Sequence, residues 1–232
     1  MNRFATAAVA AAALLASHSV FAQTPAPAQT PASGSPAESK SMMDGITISV
    51  GGGVTFTKKT GGLVYGEVVT KEYWKKTSFS LEGGWMSTVV GTTRQDSAQA
   101  IATYLAQTQG QTASATLKVP AGYGAVNVRY TVMTTPRYNV YVLAGGGLGV
   151  TSPKSTFTLG GTDVSGSVSQ YGVTLGKDLS GSTVGGLANV GVGILMPHKK
   201  WVGEASYRFT PIFTNGETTP VNRLNFSIGY KF

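Results

Sequence analysis

The chain contains no cysteine, so neither a disulfide framework nor a thiolate metal site is open to it. It has two histidines in 232 residues, and only His198 lies beyond residue 22. One imidazole among scattered acids gives no metal cluster and no nucleophile–base pair. Charge is sparse, with Asp, Glu, Lys and Arg together at 12%. Beyond the N-terminal region no stretch approaches the ~18 unbroken apolar residues that a membrane-spanning helix needs. The glycine runs Gly51-Gly52-Gly53 and Gly145-Gly146-Gly147 are not followed by a lysine or a helix, so they make no phosphate loop. No cofactor, no metal and no catalytic residue is expected, and His198 reads as a turn residue. The chain is expected not to be an enzyme.

What is present points to export. Arg3 precedes an apolar run from Phe4 to Ala16, and Val20-Phe21-Ala22 is a small-x-small-like cleavage site. Residues 1–22 therefore read as a secretory signal. Residues 23–44 begin with QTPAPAQTPASGSPAESKS, rich in Pro, Ala and Ser, and read as a flexible periplasmic segment. An exported membrane protein without a spanning helix has one remaining way to satisfy its backbone in lipid, a closed β-barrel. The formal charge of +8 drops to +7 once Arg3 leaves, and Lys58-Lys59, Lys75-Lys76 and Lys199-Lys200 fall at turns. That scatter suits lipid headgroups, and nucleic acid is not an expected partner.

From Gly45 onward apolar residues fall on every second position, the period of a strand with one buried face. Eight such runs are legible, near 45–57, 62–71, 77–90, 122–134, 138–151, 184–196, 200–212 and the C-terminal run Leu224–Phe232. In the last, Leu224, Phe226, Ile228, Tyr230 and Phe232 share one face. The run at 62–71 is the least regular, with apolar residues on both faces. The spacing predicts an all-β, eight-stranded antiparallel up-and-down transmembrane barrel over 45–232. Ten strands, with Phe157, Leu159 and Val168 to Leu175 supplying the extra pair, is the second choice. Short connections near 72–76, 134–137 and 197–199 mark the periplasmic end, and long ones at 91–120 and 152–183 mark the outer end. Within the first long loop, Ala98, Ile101, Ala102 and Leu105 follow helical spacing. The second has strand-like alternation and reads as a hairpin above the membrane.

Charged residues on the strands fall on inward positions. Glu82, Arg129, Glu204 and Arg208 are expected to form an ion-pair network in the lumen, because a lipid-facing Arg or Lys costs about 2–4 kcal/mol at the midplane. Arg223 falls on an inward position above them. Inward glycines at 145, 147, 149, 191 and 193 leave one wall thin, either easing curvature or leaving room for solute. Trp74, Phe79, Tyr130, Tyr138, Trp201 and Tyr230 are expected to make an aromatic girdle at the periplasmic rim.

The terminal aromatic strand, the segment Tyr141 to Gly149, and Asn127-Val128-Arg129-Tyr130 before Pro136 resemble the small outer-membrane β-barrel superfamily of OmpA, OmpX and OmpW-like barrels. The resemblance covers residues 45–232. It implies residence in the bacterial outer membrane, contact with outer-membrane lipid, and insertion through a C-terminal signal at Tyr230 and Phe232 read by the insertion machinery. It leaves two functional expectations. One is a non-enzymatic envelope scaffold, its lumen plugged by ion pairs, displaying loops 91–120 and 152–183 to a surface partner and tolerating Gly147→Leu. The other is a narrow porin-like channel for ions or small solutes.

Overall fold

The computed structural model describes residues 45–74, 76–214 and 217–232. The expected signal peptide at 1–22 and the segment at 23–44 lie outside the described residues.

Eight strands close into a barrel: β1 (Thr47–Phe56), β2 (Thr60–Val69), β3 (Thr77–Met86), β5 (Ala121–Thr134), β6 (Asn139–Thr151), β9 (Thr183–His198), β10 (Trp201–Phe209) and β13 (Asn222–Lys231). Each pairs antiparallel with the next, and β13 returns to β1 with Val50 opposite Ile228, so the ladder has no free edge. The second choice of ten spanning strands is not what forms.

The burial pattern is inverted relative to a water-soluble protein. Val50, Val126 and Phe226 are 64%, 58% and 55% exposed on the outer surface, while Arg208 and Arg223 are fully buried inside. Such inversion is what a hydrocarbon solvent selects. At the end with short turns, Trp74, Phe79, Tyr130, Tyr138 and Trp201 are exposed on the exterior. Tyr230 there stacks edge-on between Trp201 at 5.3 Å and Phe232 at 5.0 Å.

Two local expectations shift. The turn read at 197–199 is instead the two-residue hairpin Lys199–Lys200, because the ladder continues through Pro197 to His198, which faces Trp201. Lys199 takes the left-handed φ of 55° that such a hairpin demands. The strand read at 62–71 runs from Thr60 to Val69. Both of its faces carry apolar residues because Leu63 and Tyr65 point inward into an apolar layer of the lumen.

Above the barrel, β4 (Ala113–Lys118), β7 (Lys154–Leu159) and β8 (Thr162–Asp163) form a second sheet in the order β4–β7–β8. This sheet prolongs the β5–β6 ladder without a change of register, Lys118 facing Lys154 as Ala121 faces Thr151. The break between them falls at Pro120 and Pro153, which have no N–H to give the ladder. Ser152 N–H still donates to the Pro120 carbonyl across the break at 3.0 Å.

The helical spacing in the first long loop becomes α1 (Thr92–Gln109), which packs on this sheet with Ala98, Ala102 and Leu105 buried. Ala98 and Leu105 meet Leu117, Phe157, Val168 and Val173 in one core. The hairpin expected in 152–183 is β7 with the two-residue β8, followed by a 3-10 turn at Val168–Tyr171. Ser165 pins its tip, donating from its hydroxyl and its backbone N–H to the Asp163 carboxylate, which holds that carboxyl below its ordinary range. Two short strands, β11 (Ile212–Thr214) and β12 (Glu217–Thr219), extend the wall near α1. Arg94 of α1 pairs with Glu217 at 3.2 Å, and Glu217 also accepts the Arg94 backbone N–H, a carboxylate placed at the helix N-terminus.

Candidate functional site in the barrel lumen

An eight-stranded barrel is just wide enough for side chains to fill it. Here the filling is built from three repeated units. Tyr65 lies directly opposite Gly51, Tyr123 opposite Gly84, and Tyr141 opposite Gly193. A Cβ at Gly51 or Gly84 would stand 2.8 Å from the facing tyrosine ring, and one at Gly193 would overlap the Tyr141 ring. Each glycine therefore lets a tyrosine fold flat across the neighbouring strand. Each ring in turn carries an arginine: Arg129 over Tyr141 at 4.6 Å, Arg223 over Tyr123 at 5.0 Å and Arg208 over Tyr65 at 5.7 Å. Cation–π contact gains strength in a desolvated site.

Three glutamates, Glu67, Glu82 and Glu204, balance the three arginines. Arg208 is central. It pairs with Glu82, with Glu67 at 3.3 Å and with Glu204 at 2.9 Å. Arg129 bridges Glu67 and Glu204, the latter at 3.1 Å, and Arg223 reaches Glu82 at 3.0 Å. The Tyr123 and Tyr141 hydroxyls donate to Glu82 and Glu204. Asn189 accepts from Arg223 at 3.2 Å and from Thr210 at 2.7 Å, and donates to Asn127 at 3.0 Å. Buried charge is tolerable only when paired and hydrogen-bonded, and among the described lumen residues the formal charge of this layer sums to zero.

The four residues singled out from sequence, Glu82, Arg129, Glu204 and Arg208, thus fall in one chain of contacts, Arg129 to Glu204 to Arg208 to Glu82. Glu67, Arg223 and the three tyrosines complete the layer. Glu67 sits on β2, where mixed burial hides the alternation. The tyrosines signal only as aromatic residues of inward parity opposite a glycine. Of the other inward glycines, Gly191 lies against the Arg208 side chain and Gly145 against Asn127. A Cβ on Gly147 would run into the β5 backbone at Gly124 and Ala125, so the tolerance of Gly147→Leu expected for a scaffold is overturned: backbone, not open lumen, faces that position.

Toward the outer end the filling turns apolar. Leu63, Met86, Tyr123, Leu187, Ile212 and Val221 join a core that runs on without interruption into the residues under α1. On the walls of β2 and β13 some buried polar atoms have no hydrogen-bond partner among the described residues, including the Tyr65 hydroxyl, Glu67 Oε1, both amide atoms of Asn225 and the Ser227 hydroxyl. His198 is exposed at the β9–β10 hairpin, away from the lumen charges, and no group of three metal-ligating side chains occurs among the described residues.

No protein-family model matches the chain, and no curated protein does. Solved structures similar to it include Neisserial surface protein A at 11% identity, with 81% of this chain and 96% of that one covered and a TM-score of 0.49. Another is Ail, the attachment invasion locus protein of Yersinia pestis, at 14% identity, 82% and 100% coverage and a TM-score of 0.45. A third is the N-terminal β-barrel domain of Pseudomonas aeruginosa OprF, at 12% identity, 82% and 98% coverage and a TM-score of 0.43. The closed eight-stranded ladder, its apolar exterior and its charged interior are this chain's own grounds for assignment, and on them it has the fold of the small outer-membrane β-barrels.

Proposed function

We propose that the protein is a non-enzymatic scaffold of the bacterial outer membrane whose lumen is closed and whose exposed cap, formed by 91–120 and 152–183, is its working surface. The observation that carries this reading is the continuous filling of the lumen. A neutral layer of three arginines and three glutamates lies beneath an apolar layer that merges with the core of the cap. Breaking one buried pair costs about 3–5 kcal/mol, so opening a path for solute requires new partners for every displaced charge. In this reading the aromatic girdle of Trp74, Phe79, Tyr130, Tyr138, Trp201 and Tyr230 anchors the periplasmic rim. Tyr230 and Phe232 present the closing strand to the insertion machinery.

The second reading, a narrow channel for ions or small solutes, draws on the unpartnered atoms of Tyr65, Glu67, Asn225 and Ser227. They are alternative partners that an exchanging arginine could use. Single-channel recording of the refolded protein in planar bilayers, beside Glu82→Gln and Arg129→Ala, separates the two. The scaffold reading expects silence from the parent; resolved, steady conductance from it makes the channel the better account.

A further inference from the structure

The exterior face of the β5–β6 ribbon does not end where the barrel ends. Because β4 and β7 keep its register and parity, the residues that follow Val150 on the same face are Ser152, Lys154, Thr156 and Thr158. Facing them on the other strand are Lys118, Thr116 and Ser114. The β6–β9 pairing is prolonged in the same way: Lys154 bridges to Ser180, and the hydroxyls of Ser152 and Ser182 lie 2.9 Å apart. The outer surface therefore passes from an apolar row at Val150 and Val184 to a hydroxyl row at Ser152 and Ser182, then to a row in which the cations Lys118 and Lys154 lie beside Ser180.

Lys118 and Lys154 are directly opposite each other, exposed, and in no ion pair among the described residues. Like charges opposite one another destabilise a sheet. A third ammonium closes on the same place: Lys59, from the β1–β2 turn, donates to the Leu117 carbonyl at 3.1 Å on the free side of β4. Two pleats above the last apolar residue is where the headgroups of the surrounding leaflet lie. An anion held between the two lysines would remove their repulsion, and serine hydroxyls below offer it further donors.

We propose that Lys118 and Lys154, with Ser152, Ser180 and Ser182, form a lipid-binding site on the barrel wall that holds the phosphate of an anionic headgroup in the adjoining leaflet. The proposal rests on the membrane-inserted reading above. The acyl chains would lie along the apolar row at Val150 and Val184, and the phosphate would sit across the lysine pair. A sulfated polysaccharide, the other anion such lysines could meet, has no use for that apolar row.

The test is native mass spectrometry of the refolded full barrel in neutral detergent, titrated with diphosphorylated lipid A and, separately, with phosphatidylcholine. Heat-modifiable gel mobility first reports whether each sample is a folded barrel in detergent or vesicles. A parent chain that does not fold there removes the membrane reading itself, and the site with it. With folding intact, the parent should retain lipid A and Lys118→Gln/Lys154→Gln should bind it roughly thirtyfold more weakly, at the contribution usual for a lysine near an anionic surface. Lys177→Gln should bind as the parent does. Equal lipid A retention by parent and double variant overturns the proposal. So does equal affinity for phosphatidylcholine, or competition by inorganic phosphate or a heparin fragment as effective as by the lipid.

Discussion

Tyr141 lies flat over Gly193 on the neighbouring strand, in the space that a β-carbon there would take, and its hydroxyl donates to Glu204. Position 193 thus fixes where the ring can lie, and the ring fixes where Arg129 and Glu204 meet. Gly193→Ala should destabilise the barrel by about 1–3 kcal/mol, the usual cost of overpacking. Gly122→Ala, where nothing stands within 4 Å of the new carbon, should stay within about 0.5 kcal/mol of the parent. Urea unfolding in micelles, followed by tryptophan fluorescence, reads both. Equal midpoints for the two variants would mean that the ring does not need the glycine.

Arg208 touches all three lumen glutamates, more than any other arginine of the layer. Arg208→Met leaves the layer with three acids against two bases and should cost about 3–5 kcal/mol. Adding Glu82→Gln restores neutrality. The double variant should therefore be less destabilised than the sum of the two single variants, a coupling that a double-mutant cycle measures directly. Strict additivity would show that the two side chains stabilise the barrel independently.

How far the sequence could be read follows from which solvent each face meets. Along Val126–Val132 and Leu224–Phe232 every outward residue faces lipid and every inward one is polar or small, so alternation places them without ambiguity. The same parity puts Glu82, Arg129, Glu204 and Arg208 inside before any contact is known. It fails on β2, where Leu63 and Tyr65 are buried in the apolar part of the lumen while Val64 and Val68 face outward, and so it passes over Glu67. The cap was legible only as isolated fragments. The helical spacing from Ala98 to Leu105 is local, but the pairing of Lys118 with Lys154 joins segments 36 residues apart and depends on a register inherited from the barrel below.

The Arg94–Glu217 pair is the buried ionic tie between α1 and the β11–β12 wall. Arg94→Ala removes the charge and also the donor to the Thr214 hydroxyl at 3.3 Å. The cap should then open locally while the barrel stays closed, because the ionic layer shares no residue with this contact. Limited trypsin digestion of folded protein should cut faster after Lys118 or Lys154 in the variant, with an unchanged urea midpoint for the barrel. Loss of the global midpoint instead would mean that cap and barrel unfold as one unit.

Closure by two dissimilar layers, as the scaffold reading has it, carries a consequence for permeation that either layer alone would not have. In the scaffold reading the outer layer excludes ions through Leu63, Met86, Leu187 and Ile212, whose packing continues into the core under α1. In the same reading the inner layer excludes them because each of its three arginines is already paired with a glutamate. Replacing 92–109 by a short Gly-Ser linker exposes the apolar layer to water but leaves Arg208 and its three glutamates in place, so this variant should remain silent in planar bilayers. Arg208→Met alone should also stay silent, because the apolar layer is intact. Combined, the two changes should yield ion conductance, favouring cations, since the layer then carries an excess acid. Conductance from the linker variant alone would show that the ionic layer is no barrier, and silence from the combination would place the barrier elsewhere in the lumen.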